Sequence, residues 1–237
     1  MLFRQLFDQE SYTYTYLIAD TKVGEAILVD PVITLVQRDL KLLGELELTL
    51  KYCLETHVHA DHVTGTKRLW VKTGCIGVVP AHAHIRCANQ HIDNGEILKI
   101  GAISVKAIAT PGHTDSHMAY LVNDNTDAPA RVLTGDALFI RGCGRTDFQS
   151  GDAGTLYDSV TQCLFTLPDH TRVYPAHDYR GYTVSTIGEE KRWNPRFSGR
   201  NRDSYIDFMN NLNQPNPKKM MEAVPVNERC GRVAVAV

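Results

Sequence analysis

Two short runs of β-favouring residues open the chain, Tyr12-Thr-Tyr-Thr-Tyr-Leu-Ile18 and Glu25–Val29, the second stopped at Asp30-Pro31. Proline cannot join a strand ladder, so the pattern predicts an opening β-hairpin. Ile33, Val36, Leu40 and Leu43 then recur at helical spacing with Gly44 behind them, which predicts an amphipathic helix with a glycine stop. Residues 48–54 return to a strand pattern. Leu69, Trp70 and Val71 belong to a second helix that Gly74 closes. Further strands are predicted at 76–79, 96–100, 103–108, 118–122, 132–133 and 172–174, with helices over 156–167, 189–193 and 203–212. From Gln214-Pro-Asn-Pro217 onward the pattern reads as an irregular tail.

With 237 residues, 43% hydrophobic and 22% charged, the chain has material for one large core. We expect a single domain over 1–237, with 181–237 as a C-terminal appendage packed on it. A net charge of −2 excludes the basic excess through which nucleic acid or anionic lipid is held, so the expected partner is a small molecule. No apolar run reaches membrane-spanning length, and the N-terminus carries neither a signal-peptide stretch nor an acid-free leader, so the expected location is cytoplasmic. The six cysteines, Cys53, Cys75, Cys87, Cys143, Cys163 and Cys230, show no C-x-x-C spacing and are expected to be reduced thiols.

The candidate chemistry lies where strands end. His57-x-His59-x-Asp61-His62 presents three imidazoles and a carboxylate within six residues, directly after the 48–54 strand. Divalent metals of borderline softness take these donors. Alternate residues of an extended loop point the same way, so His57 and His59 can meet one ion while Asp61 and His62 face a second position. His113 in Thr110-Pro-Gly-His, Asp136 in Leu133-Thr-Gly-Asp and His177 in Tyr174-Pro-Ala-His each follow a further apolar strand. The small residues before them, Gly112, Gly135 and Ala176, are expected to let the backbone approach the ion. His82, His84, His91 and His170 read as ordinary histidines, and His117 as a structural neighbour of His113. A purely structural metal site fits poorly, since such sites are cysteine-rich and close with four ligands.

The motifs His57-Val-His-Ala-Asp-His62, Pro111-Gly-His113, Gly135-Asp136 and Ala176-His177 resemble the metal-binding motifs of the metallo-β-lactamase superfamily. That resemblance implies an α/β fold, an αββα sandwich with a short helical C-terminal appendage. A narrower similarity is to the persulfide (sulfur) dioxygenases. It is carried by 56–65, 110–115, the sixteen-residue block 133–148 and Tyr174-Pro-Ala-His-Asp-Tyr179, and extends to Leu212-Asn-Gln-Pro215, Val224-Pro-Val-Asn227 and Arg229-Cys-Gly231. Ser116-His117 departs from the branch pattern and reshapes the expected pocket wall.

The resemblance implies one Fe(II) per chain, with zinc as a possible substitute, held by His57, His113 and Asp136, and His59, Asp61, His62 and His177 as second shell or second-metal ligands. It implies oxidation of glutathione persulfide by O2 and water to sulfite and glutathione, with Arg145 and Tyr179 as substrate contacts and a possible homodimer. Arg141 is a weaker contact candidate, equally readable as an ion-paired arginine. Cys143, between Gly142 and Gly144, is expected to be a buried structural thiol. The alternative is a glyoxalase-II-like binuclear hydrolase of glutathione thioesters, which would use all seven metal-type residues. The ligand set alone serves either chemistry.

Overall fold

The computed structural model describes residues 1–124, 126–212 and 219–231, and these divide into two compact units. The first comprises Met1–Ile92, Ile100–Ile103 and Pro215–Val237, of which 219–231 are described; the second comprises Asp93–Lys99 and Ser104–Gln214. The expected appendage, 181–237, therefore contributes to both units.

In the first unit, strands β1 (Leu2–Phe7), β2 (Tyr14–Asp20), β3 (Glu25–Val29), β4 (Thr49–Leu54), β5 (Ile76–Pro80) and β6 (Gln90–Ile92) form one six-stranded sheet in chain order. Pairing is antiparallel from β1 to β3 and parallel from β3 to β6. The predicted hairpin is β2–β3. β1 and β6 escaped the sequence reading, because β1 is a partly exposed edge strand and β6 has three residues. Helix α1 (Val36–Glu45) connects β3 to β4, and α2 (Thr66–Thr73) connects β4 to β5. Gly44 lies inside α1 and does not stop it; the chain turns instead at Glu47, which takes φ 52°. Gly74 does close α2, with φ 74° and its N–H bonded to the Trp70 carbonyl. Leu17, Leu28, Val36, Leu43, Leu50 and Leu69 form the core beneath these helices.

In the second unit, β7 (Ile97–Ile100), β8 (Ile103–Ala109), β9 (Met118–Asn123), β10 (Arg131–Gly135), β11 (Arg172–Pro175) and β12 (Ser185–Thr186) make another six-stranded mixed sheet, ordered β7 to β12. Only β10–β11 is parallel among the recorded registers, and its crossover is α3 (Ala153–Ser159), continued as a π turn over Val160–Leu164. Each helix start is signalled locally. Asp152 caps α3, Thr186 caps α4 (Ile187–Trp193), and Asn201 with Ser204 forms a capping box on α5 (Arg202–Asn210). Their apolar faces join Leu156, Val160, Val173, Ile187, Phe197 and Tyr205 in one core.

Two expectations for the C-terminal residues are corrected. Residues 220–227 form a helix, α6 (Met220–Asn227), with Pro225 inside it. A proline at that position argues against a helix from sequence, yet burial of Ala223 and Asn227 within the first unit holds it in place. Cys87 and Cys230 are not reduced thiols but a disulfide, 143 residues apart with Cα atoms separated by 6.2 Å. Cys53, Cys75, Cys143 and Cys163 are free. The motif residues 213–215 lie outside the described residues. Among the described residues, no helix is long and apolar enough to cross a membrane.

Candidate metal centre

In the first unit, β4 runs directly into the histidine loop, and its anchors come from the neighbouring strand end. Asp30, just past β3, accepts Thr56 N–H at 2.7 Å and the Thr56 hydroxyl at 2.9 Å. Because that hydroxyl proton goes to Asp30, Thr56 Oγ1 accepts from His57 Nδ1 at 2.9 Å. His57 is thereby the tautomer with its lone pair on Nε2. The rings of His57, His59 and His62 are buried, with centroids 4.1 Å and 4.3 Å apart in succession. His62 Nδ1 meets Asp61 Oδ2 at 3.0 Å, and Thr13 stands by both, at 3.2 Å from the ring nitrogen and 3.1 Å from the carboxylate.

His59 turns toward Asp30, Nε2 to Oδ1 3.1 Å, with Glu55 Oε2 at 3.6 Å. Burial opposes its charge, but Asp30, Glu55 and Asp61 outweigh burial and raise its pKa to about 9. Burial pushes Glu55 up to about 7, with Asp30 adding to the shift and His59, Thr64 and Thr66 opposing it. Thr64 and Thr66 hydroxyls donate to Glu55 Oε1. Donor atoms of His59, Asp61 and His62 lie within 4.8 Å of one another, as do those of Asp30, Glu55 and His59.

In the second unit, His113, Asp136 and His177 are brought together. Gly135, ending β10, takes φ 52° and turns Asp136 out of the strand. Asp136 Oδ1 meets His177 Nδ1 at 2.7 Å, and its Oδ2 lies 3.6 Å from His113 Nε2. His113 Nδ1 bonds to the Arg145 carbonyl at 2.7 Å. A carbonyl only accepts, so Nδ1 carries the proton and Nε2 the lone pair. A lone pair and a carboxylate oxygen facing each other suit a shared cation. This donor chemistry fits a borderline divalent metal.

Gly112 also meets a packing requirement. At φ 131°, an added Cβ would lie 2.3 Å from Leu156 N, so glycine is required for α3 to pass close behind the His113 turn. His117 is a structural neighbour of a specific kind: its Nε2 accepts the Asp136 backbone N–H at 2.9 Å while Nδ1 meets Thr110 Oγ1 at 2.8 Å.

Arg145 binds Asp147 through two 2.6 Å contacts and lies over Phe148, while Tyr179 is 62% exposed and stacks on His177 at 6.1 Å. Arg141 is an ion-paired arginine, held by Glu189 at 2.7 Å and by Glu190. Cys143 is buried beside the Tyr205 hydroxyl at 3.3 Å, and burial pushes its pKa up to about 11. His82, His84, His91 and His170 are exposed. Sequence reasoning missed Thr13, Asp30, Glu55 and Asn227. Asp30-Pro31 was visible only as a strand stop and Asn227 only as the end of the Val224–Asn227 motif, while Thr13 and Glu55 carry no local signal.

Residues 9–177 match the family model described as the metallo-beta-lactamase superfamily. The mitochondrial persulfide dioxygenase ETHE1 of Mus musculus is 46% identical over 98% of this chain and 89% of its own length. The crystal structure of ETHE1 from Myxococcus xanthus superposes with a TM-score of 0.93 at 51% identity, covering 98% of this chain and all of that one. A cytoplasmic hydroxyacylglutathione hydrolase of Arabidopsis thaliana is 34% identical over 70% of this chain and 64% of its own. A probable metallo-hydrolase of Burkholderia pseudomallei is 32% identical over 96% of this chain, so it is the higher identity over nearly the whole chain that favours the persulfide dioxygenases, while the hydroxyacylglutathione hydrolase similarity stops short of full length. The chain belongs to the metallo-β-lactamase superfamily and, within it, to the persulfide dioxygenases.

Proposed function

We propose that the chain is a mononuclear iron enzyme in which His57, His113 and Asp136 hold one Fe(II), and that it oxidises glutathione persulfide with O2 and water to sulfite and glutathione. Two imidazoles and one carboxylate are the donor set of non-haem ferrous oxygenases that keep positions open for substrate. Bound there, ferrous iron would supply O2 activation beside a coordinated persulfide sulfur. The observation that carries the proposal is the tautomer of His113: its Nδ1–H is committed to the Arg145 carbonyl, leaving Nε2 as a donor 3.6 Å from Asp136 Oδ2.

The remaining residues orient these ligands. Thr56 sets the His57 tautomer, and His177 holds the second carboxylate oxygen of Asp136. Glutathione carries two carboxylates, for which Arg145 offers a guanidinium and Tyr179 an exposed phenol. His59, Asp61 and His62 serve as supports in this reading. Anaerobic loading should give about one iron per chain and persulfide-dependent O2 uptake that His113→Ala abolishes. A sample that binds two zinc ions, consumes no O2 and hydrolyses S-lactoylglutathione would overturn the reading in favour of the hydrolase. The proposal also includes a homodimer acting in the cytoplasm, which light scattering and cell fractionation check.

A further inference from the structure

Helix α6 ends on a buried polar residue that reaches the histidine loop. Asn227 is 3% exposed, and its amide makes three contacts in that loop. Oδ1 accepts Thr64 N–H at 2.9 Å, while Nδ2 donates to the His59 carbonyl and to the His62 carbonyl, each at 2.8 Å. One side chain thus holds the backbone on both sides of Asp61-His62, a stretch outside any strand or helix. The pattern of one N–H and two carbonyls fixes which way the amide points. Only asparagine satisfies it at this reach. Aspartate would aim an oxygen at two carbonyls, and alanine would leave three buried backbone groups without their partner.

The seat of that amide is built by the residues around it. Val224 and Cys230 pack against Val58, Val79, Ala83 and Ile85 behind the loop, and the Cys87–Cys230 disulfide closes the same cluster. Just beyond, Gly231 at φ 73° passes so near Thr64 that an added Cβ would lie 2.5 Å from its carbonyl oxygen. The C-terminal segment is therefore fitted to the loop at several consecutive residues.

We propose that Asn227 is a positioning residue for metal binding: it sets the His59–Thr64 backbone of the loop that begins with His57, from 163 or more residues away. The inference rests on the metal reading above, but only on this loop's binding a metal and not on which reaction follows. Nothing in the loop's own sequence supplies these bonds, so its geometry depends on α6.

The test compares Asn227→Ala with Val224→Ala, which loosens the same packing without touching the three bonds. Fe(II) affinity is read by chelator competition well below the melting temperature of each variant, and ligand geometry by the visible spectrum after Co(II) substitution. Asn227→Ala should bind Fe(II) about 10–100-fold more weakly, the usual effect of losing an outer-shell partner, with an altered Co(II) spectrum. Val224→Ala should stay within about twofold of wild type and keep its spectrum, although it too is less stable. The proposal is overturned if Asn227→Ala keeps wild-type affinity, or if Val224→Ala loses affinity to the same degree. If Asn227→Ala does not fold, Asn227→Asp carries the same comparison, since it keeps the Thr64 bond and lacks the two donated ones. Affinity and spectrum are measured without persulfide or O2, so failure of the dioxygenase assay leaves this result readable.

Discussion

His117→Ala removes the acceptor of the Asp136 amide without replacing any proposed metal ligand. Its imidazole is 1% exposed and spans two buried groups, Asp136 N–H at 2.9 Å and Thr110 Oγ1 at 2.8 Å. Leaving the buried amide unsatisfied costs about 1–3 kcal/mol, and loss of the Thr110 bond about 1 kcal/mol more. A hole of roughly 60 Å3 at about 24 cal/mol per Å3 adds about 1.5 kcal/mol if the site does not collapse. The expected destabilisation is therefore about 3.5–5.5 kcal/mol, a large part of the roughly 5–15 kcal/mol typical of a domain. Urea denaturation measures it. Because the amide belongs to Asp136 itself, Fe(II) affinity should fall as well, by about 10–100-fold. His117→Gln, whose amide oxygen can accept the same N–H, should recover part of both. A His117→Ala protein within about 1 kcal/mol of wild type that still loads iron normally would refute the argument that this bond sets Asp136.

Four further outcomes follow from separate features. Gly144→Ala would place a Cβ 2.5 Å from the Asp136 carbonyl oxygen and 2.7 Å from His113 Nδ1, so activity and iron loading should drop by roughly tenfold or more; Gly142→Ala, whose nearest contact is 3.6 Å, should behave as wild type in the same assays. Burial raises the pKa of Asp39 although Arg38 opposes it, so the protonated form is favoured on folding. The stability from that proton is complete below the ordinary carboxyl range and is lost as pH rises. Asp39→Asn should therefore gain on wild type between pH 4 and pH 7 in urea titrations, and a stability difference, variant minus wild type, that stays constant or falls as pH rises refutes this. With its pKa near 11, Cys143 should resist iodoacetamide at pH 8 while the half-buried Cys163 labels first, as peptide mass mapping would report; faster labelling of Cys143 contradicts the burial argument. Reducing the Cys87–Cys230 disulfide, which joins residues 143 positions apart, should lower stability by about 2–4 kcal/mol and reduce Tm, whereas Cys87→Ala should be insensitive to reductant.

Much of the site was legible because its candidate ligands sit in short motifs at strand ends. His57, His59, Asp61 and His62 follow β4, Asp136 ends the run out of β10, and His177 follows β11. The sixteen residues 133–148 were specific enough to point to the persulfide dioxygenases, and full-length similarity bears that out. Helix α2, closed by Gly74, was also readable, since a cap is a local hydrogen bond. Edge strands were not, because β1 and β6 owe their pairing to neighbours rather than to a strong pattern of their own.

The amino-acid sequence by itself determined the period of most elements, the metal-type donors and their order, and the branch of the superfamily. These are properties of contiguous residues, and contiguous chemistry can be read along the chain. Only the tertiary structure decided what holds those donors. Asp30 reaches Thr56 across two strand ends, His117 reaches the Asp136 amide, Asn227 returns from the far end of the chain to hold the His59–Thr64 turn, and Cys230 finds Cys87. Each is a contact between groups distant in sequence, made favourable because burial leaves a polar group no water to turn to. For the same reason α6 forms despite Pro225: propensity is a matter of a few residues, and the packing of Ala223 and Asn227 outweighs it.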